Sequence, residues 1–275
     1  MSSEAGREDR VTTVESDPFA DLAARTSLYD DTGRLVLVFT LAESTRDDRP
    51  WADGAWRPAS VPVSQASSAV LAALPGHAFS TSEPALVAAL CEAGATELRH
   101  AHAMSHSLRV VPDVAADPRI VVEQLTSVQL DRHAERLGEL SVAAYPTTHP
   151  DHAHDSVGSA VAELRAIARG ELLGPYLEQS RVALADGDIV GACLLVDREG
   201  VPPDGGPWVI DVFRDPARPL AGVGTALLVG VLAAARSAGF AGLSLAVSHA
   251  NVKAFNLYHA LGFIETGQGW TLVLP

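Results

Sequence analysis

Apolar residues along this chain fall at two spacings, one suited to strands and one to helices, and they alternate from about residue 29 to the end. Short apolar runs mark strands at 35–41, 120–125, 208–213 and 243–247, with a weaker β-like piece near 95–99 and a further short apolar piece at 108–112 that leads into a linker. Helical spacing runs over 64–74 and is stopped by Pro75-Gly76. It returns over 83–92, with Ser82 placed to cap, Pro84 in the first turn and Gly94 beyond the end. After the strand at 120–125, Thr126 and Gln129 form a capping-box pair. Leu130, Ala134, Leu137, Leu140 and Ala144 then step along one helix face until Pro146 ends it. A further helix covers roughly 159–169. Residues 181–196 read as a hairpin about Asp186-Gly187-Asp188, because Asp-Gly supplies the turn dihedrals a tight hairpin needs. One or two last strands are expected around 263–266 and 270–274. Residues 45–60, rich in Asp, Pro and Gly, read as a surface loop carrying Trp51 and Trp56.

The densest pattern lies between Trp208 and Gly267. An apolar strand, a turn with Gly222 and Gly224, an alanine- and leucine-rich helix ended by Gly239, a second strand and a helix from Asn251 make a βαβ unit. A glycine turn at a helix start exposes unpaired backbone N–H groups, and with the helix dipole these suit a phosphate or pyrophosphate. A lone G-x-G equally suits a helix start that only needs tight turn geometry.

Two motifs in this stretch resemble those of the GNAT superfamily, the GCN5-related N-acetyltransferases. One has the form V-x-P-x-x-[RQ]-G-x-G-x-[GA], occupied here by Arg214, Pro216, Pro219, Leu220, Gly222 and Gly224. The other, N-x-x-A-x-x-[LF]-Y-x-x-x-G-F, is matched by Asn251, Ala254, Leu257, Tyr258, Gly262 and Phe263. The resemblance extends over roughly residues 120–275. It implies an α/β fold with a mixed twisted sheet and helices on both faces, acetyl-CoA as cofactor with CoA as product, and transfer of the acetyl group directly to a primary amine. The alternative is a CoA-binding sensor or structural module without turnover. The departures are Pro219 and Leu220, which stand where the family has a basic or amide residue and its first glycine. Proline offers no N–H, so the anion would rest on amides near Gly222, Val223, Gly224 and Thr225, with Ala221 beside them and Arg218 in reach of a phosphate.

The resemblance also assigns candidate roles. Tyr258 would protonate the departing thiolate, and Asn251, two helical turns away on the same face, would face the cofactor; as a structural alternative Asn251 is a helix cap and Tyr258 a core residue. Main-chain amides along Val212, Phe213 and Arg214 would flank the pantetheine arm and polarise the thioester carbonyl. Asp211 is the one acid in its apolar strand. Burial without a partner would be costly, so it either faces a cleft, as a base toward the attacking amine, or is paired. The loop with His149, Asp151, His152, His154 and Asp155 has no closed zinc spacing and is expected to border the acceptor instead. No metal is expected, and His100, His102 and His106 receive no role.

Composition narrows the rest. A net charge of −14 argues against a nucleic-acid partner, and no apolar run is long enough to cross a bilayer, so a cytoplasmic protein is expected. The acidic balance suits an amine acceptor, small molecule or peptide, and equally suits ordinary solubility. Cys91 and Cys193 are expected as buried small hydrophobes. The organisation expected is a disordered polar tail over 1–17, an N-terminal α/β region over 18–115 with a faint likeness to a degenerate acetyltransferase unit, and the GNAT domain over 118–275. Oligomeric state is not readable.

Overall fold

The structure, a computed structural model, describes residues 25–43, 49–114, 117–200, 203–218 and 220–275. The tail at 1–17 and Pro219 lie outside them. Strands β1 (Arg25–Tyr29), β2 (Leu35–Glu43) and β3 (Pro50–Trp56) lead into helix α1 (Val63–Ala73), β4 (Ala78–Thr81), α2 (Pro84–Glu92) and β5 (Thr96–His106). Beyond the 112–118 segment come β6 (Ile120–Gln124), α3 (Ser127–Arg132), α4 (Ala134–Ala144), α5 (Val157–Ala168), β7 (Arg181–Ala185) and β8 (Asp188–Arg198). They are followed by β9 (Gly206–Arg214), α6 (Val223–Ser237), β10 (Leu243–Ser248), α7 (Val252–Ala260) and β11 (Ile264–Val273).

The eleven strands among the described residues join one mixed sheet in the order β1-β2-β3-β4-β11-β5-β10-β9-β8-β7-β6. The succession β-β-β-α-β-α-β occurs twice, as β1 to β5 and as β7 to β11. The sheet order from β1 to β7 reads the same from both ends once the two runs are equated. The last strand of each run lies beside the fourth strand of the other: β11 pairs with β4, and β5 with β10. β5 and β11 run antiparallel to each other at the seam.

Alternation along β8 shows how the layers form. Leu194 and Val196 face α4 and α5 together with Leu137, Leu164 and Phe213, while Cys193 and Leu195 face α6 with Leu227, Val231 and Leu245. Each fully buried Leu or Val contributes roughly 1.5–3 kcal/mol, which makes the α6 stripe of Val223, Leu227, Leu228, Val231 and Leu232 a principal anchor of this layer. Gly138 lets α4 and α5 approach closely, since a Cβ there would lie 2.8 Å from Val161 Cγ2. A third core gathers α1 and α2 over Leu37, Phe79 and Leu272.

Several sequence expectations need correction. Residues 50–56 are strand β3 rather than loop: Pro50 opens it, its pairing with β2 shifts register between Val38 and Thr40, and Trp51 Nε1 donates to Ser80 Oγ at 2.9 Å. The β-like piece at 95–99 is the start of the eleven-residue β5, and 108–112 forms no strand, Leu108 taking a positive φ of 58°. Of the one or two last strands expected the structure has one, β11, with a register shift between Glu265 and Gly267. The helix after Thr126 breaks at His133 into α3 and α4, though its capping box is present. Glu83, not Ser82, is the N-cap of α2, and its carboxylate pairs with Arg57 instead of capping. Cys91 is exposed on α2, while Cys193 is fully buried, and burial pushes its thiol well up.

Candidate active site

The site is opened by a fault between two parallel strands. β9 and β10 pair only at Trp208 with Ser244 and at Val209 with Leu245. Directly after, Ile210 is an extra residue in β9: Leu195 of β8 faces Val209, and the next partner pair is Leu194 with Asp211. A bulge bends and twists its strand, so the segment from Asp211 to Arg214 departs from β10. The main chain of Val212, Phe213 and Arg214 stays paired to β8 on one side and borders the gap on the other.

At the head of that gap stands the N-terminus of α6. Its N-cap is Gly222 at φ +83°, and no side chain caps the helix. A Cβ at Gly222 would meet nothing within 4 Å, so the glycine serves the left-handed backbone and leaves the approach clear. The first-turn amides of Val223, Gly224 and Thr225 precede the first intrahelical donor, Ala226, whose N–H reaches Gly222 O at 2.8 Å. The opening fits an anionic diphosphate. Around it the other candidates are less free. Leu220 packs against the α6 core and its N–H is used by Arg218 O at 2.8 Å, while Arg218 is ion-paired with Asp188 and Arg214 Nη1 donates to Asp215 O. Ala221, next to Gly222, is exposed.

Asp211 is half-buried, facing the α4–α5 side. Its Oδ1 lies 2.9 Å from the Tyr145 hydroxyl, which is also 2.6 Å from Val212 O. Burial pushes the carboxyl up to about 7 against the lowering effect of the Tyr145 hydrogen bond, and nearby Glu163 adds to the rise. Tyr258, on α7, is nearly buried against Phe263. Its hydroxyl makes no hydrogen bond among the described residues, and burial raises it above the usual phenol range. Asn251 is the N-cap of α7: its Oδ1 accepts from Ala254 N at 3.1 Å and its Nδ2 donates to Asp151 Oδ2 at 2.7 Å. Asp151 also accepts from Ser248 N at 3.2 Å and from Ser248 Oγ. The histidine- and aspartate-bearing loop is thus fastened to the end of β10, beside the gap. His154 lies 3.3 Å from Glu163 at its far end. Among the described residues no group of His, Cys, Asp and Glu is arranged to hold a metal ion.

Three buried or half-buried residues with long-range partners carry little sequence signal. Tyr145 follows the last turn of α4 and meets Asp211 66 positions later. Glu163 occupies an inward face of α5. His102, the third, lies at the β5–β11 seam with Glu265 Oε1 at 2.8 Å from its Nδ1 and His249 Nδ1 at 2.9 Å from its Nε2. His100 stacks there between His249 and Trp270.

Comparison with known proteins adds the following. Residues 135–263 match the model of the acetyltransferase (GNAT) family. No curated protein matches in sequence. Among solved structures, a GCN5-related N-acetyltransferase from Sphaerobacter thermophilus is 15% identical with a TM-score of 0.65, covering 92% of this chain and 82% of that one. A GNAT-family acetyltransferase from Colwellia psychrerythraea is 11% identical, with coverages of 91% and 85% and a TM-score of 0.59. A tandem GNAT protein from the clavulanic acid biosynthesis pathway is 15% identical, with coverages of 91% and 82% and a TM-score of 0.54. No described helix is long and apolar enough to cross a membrane.

Proposed function

From a chain that carries the GNAT fold, we propose an acetyl-CoA-dependent N-acetyltransferase that delivers the acetyl group directly to a primary amine. The observation that carries this reading is the gap between β9 and β10, which has an uncapped helix N-terminus at one end and a carboxyl and a phenol on its two sides. The amides of Val223, Gly224 and Thr225 hold the diphosphate, and the free edge of β9 at Val212 to Arg214 holds the pantetheine arm and polarises the thioester carbonyl. Acetyl-CoA supplies an activated acyl group with a thiolate as leaving group.

Asp211 takes a proton from the acceptor ammonium, directly or through water. A carboxyl that titrates near 7 is matched to that task, being ionised often enough to accept and basic enough to hold the proton. Tyr258 gives its proton to the departing thiolate, its hydroxyl having no hydrogen bond among the described residues. Neither cysteine is available as an acyl carrier, since Cys193 is fully buried with a raised thiol and Cys91 lies on α2. Positioning both reactants in one gap therefore supplies most of the rate. The run β1 to β5 is read as a catalytically silent second unit whose β5 completes the sheet beside β10. The acceptor is an amine of a small molecule or peptide, bounded by the Asp151 loop.

The test is release of free thiol from acetyl-CoA by the purified chain offered a panel of primary amines. Amine-dependent release that drops at least tenfold in Tyr258→Phe supports the reading. Tight CoA binding with no turnover on a broad panel, and no effect of Tyr258→Phe, would favour a CoA-binding sensor.

A further inference from the structure

The Tyr145 hydroxyl is asked to serve two oxygens with one proton. Its Oη lies 2.9 Å from Asp211 Oδ1 and 2.6 Å from the carbonyl oxygen of Val212, both within hydrogen-bond range. A phenol owns a single O–H, and a carbonyl can only accept. If the Asp211 carboxyl were ionised, it too could only accept, and one of the two short contacts would be oxygen against oxygen with no proton between. Asp211 itself is the one group of the three that can supply the missing proton. When it is protonated, the carboxyl O–H donates to Tyr145 Oη, and the Tyr145 O–H donates to Val212 O. Every short contact then has its hydrogen.

We propose that Tyr145 is a positioning residue that holds the proton taken up by Asp211, its hydroxyl turning from the carboxylate to the Val212 carbonyl as the carboxyl becomes neutral. The inference rests on the reading of Asp211 as the base. In the ionised state the phenol donates to the carboxylate. When a proton arrives from the acceptor ammonium, an O–H bond forms at Asp211 and the N–H bond of the ammonium breaks. The phenolic O–H rotates to Val212 O, and Tyr145 Oη becomes the acceptor for the new carboxyl proton. The change needs only the rotation of one O–H and a small relaxation of the Tyr145 Oη–Val212 O contact, and the neutral carboxyl is not left with an unpaired O–H, which would oppose proton uptake.

The surroundings leave this task to Tyr145. The titratable groups with electrostatic influence on Asp211 or its partner are Glu163 on α5, His154 in the loop before it, Cys193 on β8, Tyr258 on α7 and Asp151. Of these, His154 is paired with Glu163 and Asp151 is held by Ser248 and Asn251, while the hydrogen bonds that lower the Asp211 carboxyl come from the Tyr145 hydroxyl and the Val212 main chain. Tyr145 is itself half-buried and its phenol is pushed well above the usual range by desolvation, with Asp211 adding to the rise, so it keeps its proton throughout and acts by rotation.

The experiment is carbon-13 NMR on the full chain between pH 5 and 9, with labels on aspartate carboxyls, tyrosine ζ-carbons and the Val212 carbonyl, and Asp211→Asn to assign the first. In the wild type, Asp211, Tyr145 Cζ and the Val212 carbonyl should step with one common midpoint, which needs no variant. In Tyr145→Phe the Val212 step should vanish while Asp211 still titrates. If Asp211 titrates but Tyr145 and Val212 stay flat, or if the Val212 step survives in Tyr145→Phe, the proposal is overturned and the base assignment stands. If Asp211 shows no step in this range, the base assignment fails first and takes the proposal with it.

Discussion

Asp151 and Asn251, a hundred positions apart, are joined by a hydrogen bond of 2.7 Å that ties the loop after α4 to the start of α7. Asp151 also receives Ser248 N and Ser248 Oγ, so one carboxylate closes the edge of the gap where β10 ends. Asp151→Ala should free the loop while leaving the α6 cradle intact. The expected outcome is an acceptor KM raised ~10-fold or more, corresponding to about 1.4 kcal/mol, with the CoA Kd changed far less. Equal loss of both affinities would mean that the loop supports the fold and not the acceptor.

The raised Asp211 carboxyl makes two pH effects separable. For activity, kcat/KM should climb with pH along an acid limb centred near 7, and Asp211→Asn should lower the plateau by roughly 10²-fold or more. For stability, the folded carboxyl binds its proton up to about 7 and the unfolded one only to about 3.9. Between those values the native state holds more protons, so this group's contribution to stability falls as pH rises. Asp211→Asn removes that liability, and its Tm relative to wild type should therefore improve from pH 5 to pH 8. A Tm difference independent of pH would show an ordinary, solvated carboxylate.

Much of this site could be read from the sequence, and the unread part has a physical reason. The α6 entry was legible because Gly222 and Gly224 are local: the backbone needs a left-handed residue and a clear approach, and both needs show as glycine. The Thr126–Gln129 box was legible for the same reason. β3 was not, since its Pro, Asp and Gly look like a loop until β2 and β4 pair with it. β5 was under-read because its histidines look polar, yet His102 is buried through partners on β11 and after β10. Tyr145 could not be connected to Asp211 at all, because the link exists only once α4 packs on β9. Long-range hydrogen bonds of this kind leave no spacing to recognise.

Gly222 and Gly239 bracket α6 with nearly the same backbone, φ +83° and +81°, and a Cβ would meet nothing within 4 Å at either. Alanine at each should cost about 1–2 kcal/mol of left-handed strain, lowering Tm by a similar few degrees. Only Gly222→Ala disturbs the amides that open the helix, so it alone should weaken CoA, by ~5-fold or more in calorimetry. Matching losses of CoA affinity in both variants would remove the anion cradle from the account.

The two related runs of the chain predict two cofactor sites by symmetry and one by chemistry. In the second run β9 and β10 part after two pairs, whereas in the first β3 and β4 pair at Trp51 with Ala78 and Ala52 with Phe79, shift register, and pair again at Ala55 with Thr81. Trp51 Nε1 holds Ser80 Oγ across that junction, and Arg57 Nε meets Glu83 Oε2 at 2.9 Å, binding the strand end to the start of α2. At the head of α1 the N-cap is Pro62, which has no N–H, and the amides of Gln65 and Ala66 already donate to its carbonyl. A diphosphate thus meets a re-joined strand pair and a first turn with one donor, Gln65 N, already used. Calorimetry of the full chain with CoA should give one molecule bound per chain. Glu83→Ala, which cuts the Arg57 tie, should lower Tm without adding a second site, and a stoichiometry of two in the wild type would show that the closed run binds as well.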